Sequence, residues 1–469
     1  MHSRRIMLVA VAALLFAAAG FAQDFPTDET WEPITVGDTK GYIVPNEVLE
    51  ELGLPARTLP PEENAATYYL QAIEAFEGPW NALDDRDLCE DFYSAIANPP
   101  PERIPDTLLQ WFETTAQTRD LIKKAGALNP CQFPLMFYEP KVQSLYGCSY
   151  PHQSKMRWFS RLMILEGHVH EINGEPEKAM ESYLVIFRIA AHVGQGDSLI
   201  AGLVGIACHG LGAGAVERLL ATESLNAEEL ERLQQALKAV AHDLPARTHW
   251  IPMECISTKQ LVDLAMKDPN EASMVLWFAT LESPRVNLPP TFASFMQSRA
   301  WRIVFPDRTM KQDFERFFAD MAEVCESPPW EAVSQWRQRG AEERIADSSH
   351  DWNILAWHML RTLDPVDGVY VRMRASYAAL RLNAGLRRHK AVRGTYPETL
   401  DALAPEWIEV LPPDPFSGQP FHYRLDEGKW TLWSVGFDQD DDNGDKTLAW
   451  NSREDGDMVW DSAAEEGTK

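Results

Sequence analysis

Apolar and polar residues alternate along this chain mainly with the period of a helix. A short uncharged apolar run from Ile6 to Ala19 follows Met1-His2-Ser3-Arg4-Arg5 and ends in Gly20-Phe21-Ala22. A basic start, a short apolar stretch and small residues before a cut predict a secretory signal peptide over residues 1–22, on either the general or the twin-arginine route. Residues 23–61, with scattered prolines, predict an extended arm. Tyr69, Leu70, Ile73 and Phe76 give a helix over Glu62–Phe76, and Leu108, Trp111, Phe112 and Leu121-Ile122 give helical structure opened by Asp106. Trp158, Leu162, Leu165, Val169 and Ile172 form one apolar stripe, and Ala179, Tyr183, Ile186 and Ala190 form another. Gly174 and Pro176 lie between the stripes, so a helical hairpin is expected. Ser198–Val216 carries no charge and approaches the length of a membrane span. Its many Gly and Ala residues fit a buried, closely packed helix better, with Asp197 as its cap and Gly210 and Gly214 as close-contact positions. Asn226 and Glu229 form a capping box for the next helix.

The pattern loosens over residues 246–365, where Lys311–Val324 is helical and Trp301, Trp330, Trp336, Trp352 and Trp357 read as core residues. It tightens again in a long helix from about Tyr370 to His389 and a short one over Glu398–Leu403. Phe421–Leu425 and Trp430–Ser434 then alternate with period two around a three-residue loop, Asp426-Glu427-Gly428. The expected class is mainly α. A helical, helix-hairpin domain (62–245) and a Trp-rich region (246–365) precede a small α+β module (366–460) and an acidic tail (461–469).

The formal net charge of −27 sets the chain against nucleic acid and anionic membrane surfaces. It is compatible with bound divalent cations. The helical hairpin, with no catalytic motif beside it, makes a protein partner in the cell envelope the expected kind of partner, and no membrane span beyond the signal peptide is expected. An exported context permits disulfides. Of the six cysteines, Cys131 and Cys148 flank a loop-like stretch and are the candidate pair, whereas Cys208 sits in an apolar run and reads as a buried thiol.

Two resemblances follow from these residues. Gly167, Ala179 and Tyr183 fall at the small, small and aromatic positions of one tetratricopeptide-type helix pair, over about 156–192, with no second copy one period on. At the C-terminus a long helix is followed by Gly394-Thr395-Tyr396-Pro397, Leu400 and Leu403, Leu411-Pro412-Pro413-Asp414-Pro415, a hairpin, and Ser434-Val435-Gly436-Phe437-Asp438. That order resembles the globular part of type II secretion major pseudopilins, over roughly the last fifth of the chain. The resemblance implies an acidic loop that binds calcium, with Asp438 at the position of the motif's Asp and Asp457 as a later ligand. Assembly into a pseudopilus is not implied, because here the apolar segment precedes the cut. The whole chain also looks like exported bacterial proteins with this helical-then-pilin-like layout.

The acidic loop is also the clearest chemical signal in the residues themselves. Asp438, Asp440, Asp442 and Asp445 surround Gly444, and a hard ion such as calcium takes about six to eight oxygens. The glycine is the seventh residue from Asp438, so the spacing is not that of an EF-hand. These four with Asp457 are the candidate metal ligands. A second function class is a periplasmic hydrolase whose site is assembled in the fold from Glu166, His170, His192 and His209. His170-Glu171 begins a zincin motif, but Gly174 occupies its second histidine position. Gly210-Leu211-Gly212-Ala213-Gly214-Ala215 spells a dinucleotide-type motif inside a helix, where it has no strand to follow, so no cofactor site is expected there.

Overall fold

The structure, a computed structural model, describes residues 31–97, 99–139, 145–267, 307–338, 366–445 and 456–462. The signal peptide, Trp301, Trp352, Trp357 and the tail beyond Ser462 lie outside the described residues. Thirteen α-helices and two three-stranded antiparallel sheets make up the described fold, so the chain is mainly helical.

The segment expected as an extended arm is instead built into the fold. Strands β1 (Pro33–Val36) and β2 (Thr39–Ile43) pair around Gly37-Asp38, and β3 (Met136–Phe137) closes the other edge of β2. Helix α1 (Asn46–Glu51) follows. The prolines do not interrupt these elements because they stand at the boundaries. Pro33 opens an edge strand and Pro45 is the N-cap of α1, positions where a missing N–H costs little.

Helices α2 (Ala65–Ala82), α3 (Arg86–Ala95), α4 (Asp106–Thr114) and α5 (Ala116–Gly126) cover one side of the hairpin formed by α6 (Pro151–Ile172) and α7 (Pro176–Gly194). The hairpin forms where the two stripes predict it. Pro176 occupies the first turn of α7, and Gly174 takes φ +74°, a left-handed turn that suits glycine. A Cβ on Gly167 would lie 2.1 Å from the Tyr183 ring, so the small residue lets the aromatic seat against α6. The Tyr183 hydroxyl donates to Glu171, which also pairs with Arg218 of the next helix.

Helix α8 (Leu199–Ala221) is, among the described residues, the one helix long and apolar enough to cross a membrane. It packs on α6, α7 and α13 (Val366–Arg393). Its cap is Ser198, which accepts from the Ala201 amide at 3.2 Å; Asp197, the expected cap, pairs with Arg57. The closest approaches are at Gly202, where a Cβ would collide with the Tyr370 hydroxyl, and at Gly205, where it would lie 2.6 Å from the Ala190 carbonyl oxygen, whereas Gly210 is exposed with nothing within 4 Å. Helix α9 (Ala227–His242) has the expected capping box: the Asn226 side chain accepts from the Glu229 amide at 3.0 Å, and the Glu229 carboxylate accepts from the Asn226 amide at 2.7 Å. Helices α10 (Ile251–Lys267), α11 (Asp307–Glu326) and α12 (Pro329–Gln338) lead to α13.

After α13 come a 3-10 turn at Leu400–Leu403 and a second sheet of order β4 (His422–Asp426), β5 (Lys429–Ser434), β6 (Met458–Asp461). The β4–β5 loop has two residues, not three. Glu427 and Gly428 both take positive φ (49° and 79°), the backbone that matches the strand twist in a tight hairpin.

One apolar cluster runs from Val36 to Phe437, across the boundaries expected at 245/246 and 365/366. Helix α13 explains this continuity, since the residues from Val366 to Arg387 are buried or half-buried, packed on α8 and α9, with Gly368 close to the Phe437 ring and Arg387 donating to the Ser462 carbonyl at 3.0 Å. A smaller cluster gathers Trp31, Leu49, Leu135, Phe137, Cys148 and Met253. The expected Cys131–Cys148 bridge is not formed. Both are unbridged, buried thiols, Cys131 in the large cluster and Cys148 in the small one beside Tyr150, each with its ionisation pushed up by burial.

Candidate cation-binding loop

Strand β5 ends at Ser434, and the chain turns through Gly436 into the acidic loop. The turn is pinned by Asp414, a buried residue of the Leu411–Pro415 run to which the sequence assigned no role. Its carboxylate accepts from the Phe416 amide (2.9 Å), the Ser434 hydroxyl (2.8 Å), the Ser417 hydroxyl (3.2 Å) and the Val435 amide (3.3 Å). Burial raises its pKa, and these four donors oppose the rise. The signal for it was the Asp-Pro-x-Ser-Gly run, whose Asp and Ser side chains bond backbone groups two residues on.

The five candidate ligands lie at this end of the sheet. Asp438 accepts from the Asp440 amide at 3.3 Å and from the Gly456 amide at 2.9 Å. Asp440 accepts from the Asp441 amide at 3.0 Å. The Asp445 amide donates to the Asp442 carbonyl at 3.3 Å, and the Asp445 carbonyl accepts from the Asp457 amide at 2.8 Å. Asp457 is fully buried, and its Oδ2 accepts from the Gly444 amide at 2.7 Å. Its Oδ1 is buried with no hydrogen-bond partner. Burial, opposed by the Gly444 and Asp442 amides and reinforced by the charges of Asp441 and Asp442, raises Asp457 to a pKa of about 6.

Asp441, also in the loop, serves the sheet instead. It accepts from Trp433 Nε1 at 2.9 Å and from the Asn443 amide at 3.0 Å, and His422 stands 3.4 Å away. Among the described residues, no three His, Cys, Asp or Glu side chains gather closely enough to hold a metal ion as they lie. The loop thus brings two acidic segments, 438–445 and 457, against each other through backbone and side-chain hydrogen bonds.

The residues of the second function class are dispersed into separate contacts. Burial would raise Glu166, but Lys123 (2.8 Å) and Arg119 (2.7 Å) on Oε1 hold it below its ordinary value, and Ser182 donates to Oε2 at 3.0 Å. His170 pairs with Glu175 at 2.8 Å. His192 bridges the Tyr69 hydroxyl (3.0 Å) and the Leu128 carbonyl (2.8 Å). His209 lies between Phe187 and Tyr377 with both ring nitrogens buried and unpartnered, and burial lowers its pKa to about 3. No hydrogen bond joins any two of these four.

Compared with family models, curated proteins and solved structures, the chain matches none.

Proposed function

We propose that this is an exported helical scaffold that works by presenting a surface to a partner in the cell envelope, with a C-terminal pilin-like module stabilised by calcium. The observation that supports the ion most is the buried carboxylate of Asp457, whose Oδ1 has no hydrogen-bond partner and which feels the charges of Asp441 and Asp442. A carboxylate oxygen with no donor is costly to bury, and a cation relieves both that cost and the repulsion from Asp441 and Asp442. The ligands in this reading are Asp438, Asp440, Asp442, Asp445 and Asp457, and small movements of the loop would turn their oxygens from backbone amides to the ion. Calcium suits a mixed set of carboxylates, carbonyls and water, whereas magnesium demands a tighter octahedron. The scaffold reading draws on the ion pairs that engage Glu166 and Arg218 across neighbouring helices.

The test of the scaffold is capture with the immobilised mature chain from a detergent-free envelope fraction. A stable partner recovered in calcium at several salt concentrations is the expected result. Recovery of none under any of them would contradict it.

A further inference from the structure

On one face of α13, tyrosines and arginines alternate. Tyr370, Arg374, Tyr377 and Arg381 recur at the three- and four-residue spacing that stacks side chains along one side of a helix. Further along α13 the cations are matched: Arg387 and Lys390 stand against Glu223, Arg388 against Glu231 and Arg393 against Glu406. Arg374 and Arg381, both half-buried, have no carboxylate paired with them among the described residues. Scarcity does not explain this, since the chain has 70 Asp and Glu against 43 Lys and Arg. At Arg374 the imbalance is local. Its Nη2 reaches the Pro245 carbonyl at 3.5 Å, a long contact. The carboxylate nearby, Asp367, is already taken by both bonds of Arg247 (2.6 and 2.8 Å) and by Trp336 Nε1 at 3.3 Å. Burial, and then the charge of Arg247, hold Arg374 below its ordinary pKa. One turn on, Tyr377 is buried against His209 and Phe187, and its hydroxyl has no hydrogen-bond partner. Burial raises the Tyr377 pKa, and the charges of Arg188 and Arg374 oppose the rise. Arg188 is neutralised by Asp243 at 2.6 Å, so Arg374 is the uncompensated charge beside Tyr377.

We propose that Arg374 and the Tyr377 hydroxyl form a binding site for a small oxyanion, a phosphate or carboxylate group, between α13 and the segment 243–247. The guanidinium is a planar fork that meets two oxygens of such a group at once, and the phenol supplies a further donor. A half-buried guanidinium and a buried hydroxyl, each short of an acceptor, are both costly as they stand, and one anion satisfies both. Arg374 keeps part of its surface exposed, which leaves the anion a way in, and Arg381 adds a second unpaired charge on the same face. The net charge of the chain works against anions at long range. At about 0.15 M salt that repulsion is screened beyond roughly 8 Å, so the neighbouring guanidiniums decide.

The experiment is calorimetric titration of the full mature chain at pH 7 with sodium phosphate, with sodium acetate and with sodium chloride at matched ionic strength, beside thermal unfolding in the same three salts. Saturable binding of phosphate or acetate, with a raised midpoint that chloride does not give, is expected. Binding of phosphate alone would assign the site to a phosphate group, and binding of acetate alone to a carboxylate. Tyr377→Phe keeps the ring against His209 and Phe187 and removes the donor. It is expected to weaken binding by about tenfold or more, the worth of one hydrogen bond to a charged group. Arg374→Met keeps a long side chain and removes the charge, and it is expected to abolish the response while unfolding cooperatively in chloride. Should Arg374→Met fail to fold, Tyr377→Phe decides. Absence of saturable binding by both anions in the parent chain would overturn the inference, and so would binding that is unchanged in Tyr377→Phe and in Arg374→Met. Binding lost in Arg374→Met but unchanged in Tyr377→Phe would overturn the part given to Tyr377.

Discussion

His209 shows how a single side chain can be in place and poorly satisfied at once. It fills space against Phe187 and Tyr377, 5.3 and 4.2 Å away between ring centres, and neither nitrogen is bonded. A buried polar group left unpaired costs about 1–3 kcal/mol. His209→Phe, which keeps the volume and drops the nitrogens, is expected to raise the urea midpoint at pH 7. The pH dependence has a definite sign. Burial depresses His209 in the fold to about 3 from an ordinary 6.5, so its contribution is present above about 6.5 and is lost as pH falls toward 3. His152, His168 and His192 are lowered by the same cause and act in the same direction. The variant should therefore lose less stability than the parent between pH 6.5 and 4. A lower midpoint at pH 7 with an unchanged acid limb would contradict this account. The chain gave no sign of it, because a histidine in an apolar run looks the same whether its nitrogens find partners or not. Cys131 and Cys148 carry a similar lesson. Their spacing across a loop is compatible with a bridge, but the loop is folded so that each thiol enters a different core.

Among the elements, the helices were legible wherever the apolar stripe was bounded by chemistry. Gly174-Glu175-Pro176 and the Asn226–Glu229 box mark their ends correctly, because caps and left-handed turns are local and need no tertiary partner. The β1–β2 hairpin was hidden, since its prolines were read as breaks and its partner Met136–Phe137 lies far along the chain. In α8 the glycines are numerous and the sequence alone does not rank them; packing does. Gly205→Ala would place a methyl 2.6 Å from the Ala190 carbonyl of α7, and overpacking of this kind costs about 1–3 kcal/mol. Gly210→Ala meets nothing and gains helix propensity of up to about 1 kcal/mol. Chemical denaturation of both variants should show opposite shifts. Equal shifts would mean that α8 does not lie as close to α7 as the structure has it.

At the scale of the whole molecule, the helical part and the C-terminal sheet share α13 and one apolar cluster, so they should stabilise each other. Trp460 of β6 donates to Glu217 of α8 at 3.0 Å, and Glu223 at the end of α8 accepts from Tyr396 at 3.0 Å. The order of the C-terminal elements was legible because its helix, turns and hairpin follow one another closely. The tie between the two parts was not, since it depends on which side of α13 each partner covers. Proton linkage in the acidic loop runs opposite to that of the histidines. Asp457 is raised to about 6 from 3.8, so its contribution is present below about 3.8 and is lost as pH rises through about 6. At neutral pH the loop without a cation carries its full repulsion, and the ion acts against that. The most direct test is thermal unfolding of the full mature chain at pH 7 with calcium, with magnesium and with chelator. Calcium at about a hundredfold over its dissociation constant is expected to add about 2.7 kcal/mol and raise the midpoint. Magnesium should do so weakly, Asp438→Ala and Asp457→Asn should abolish the rise, and Asp461→Ala should leave it intact. Equal midpoints in all three solutions would contradict the account.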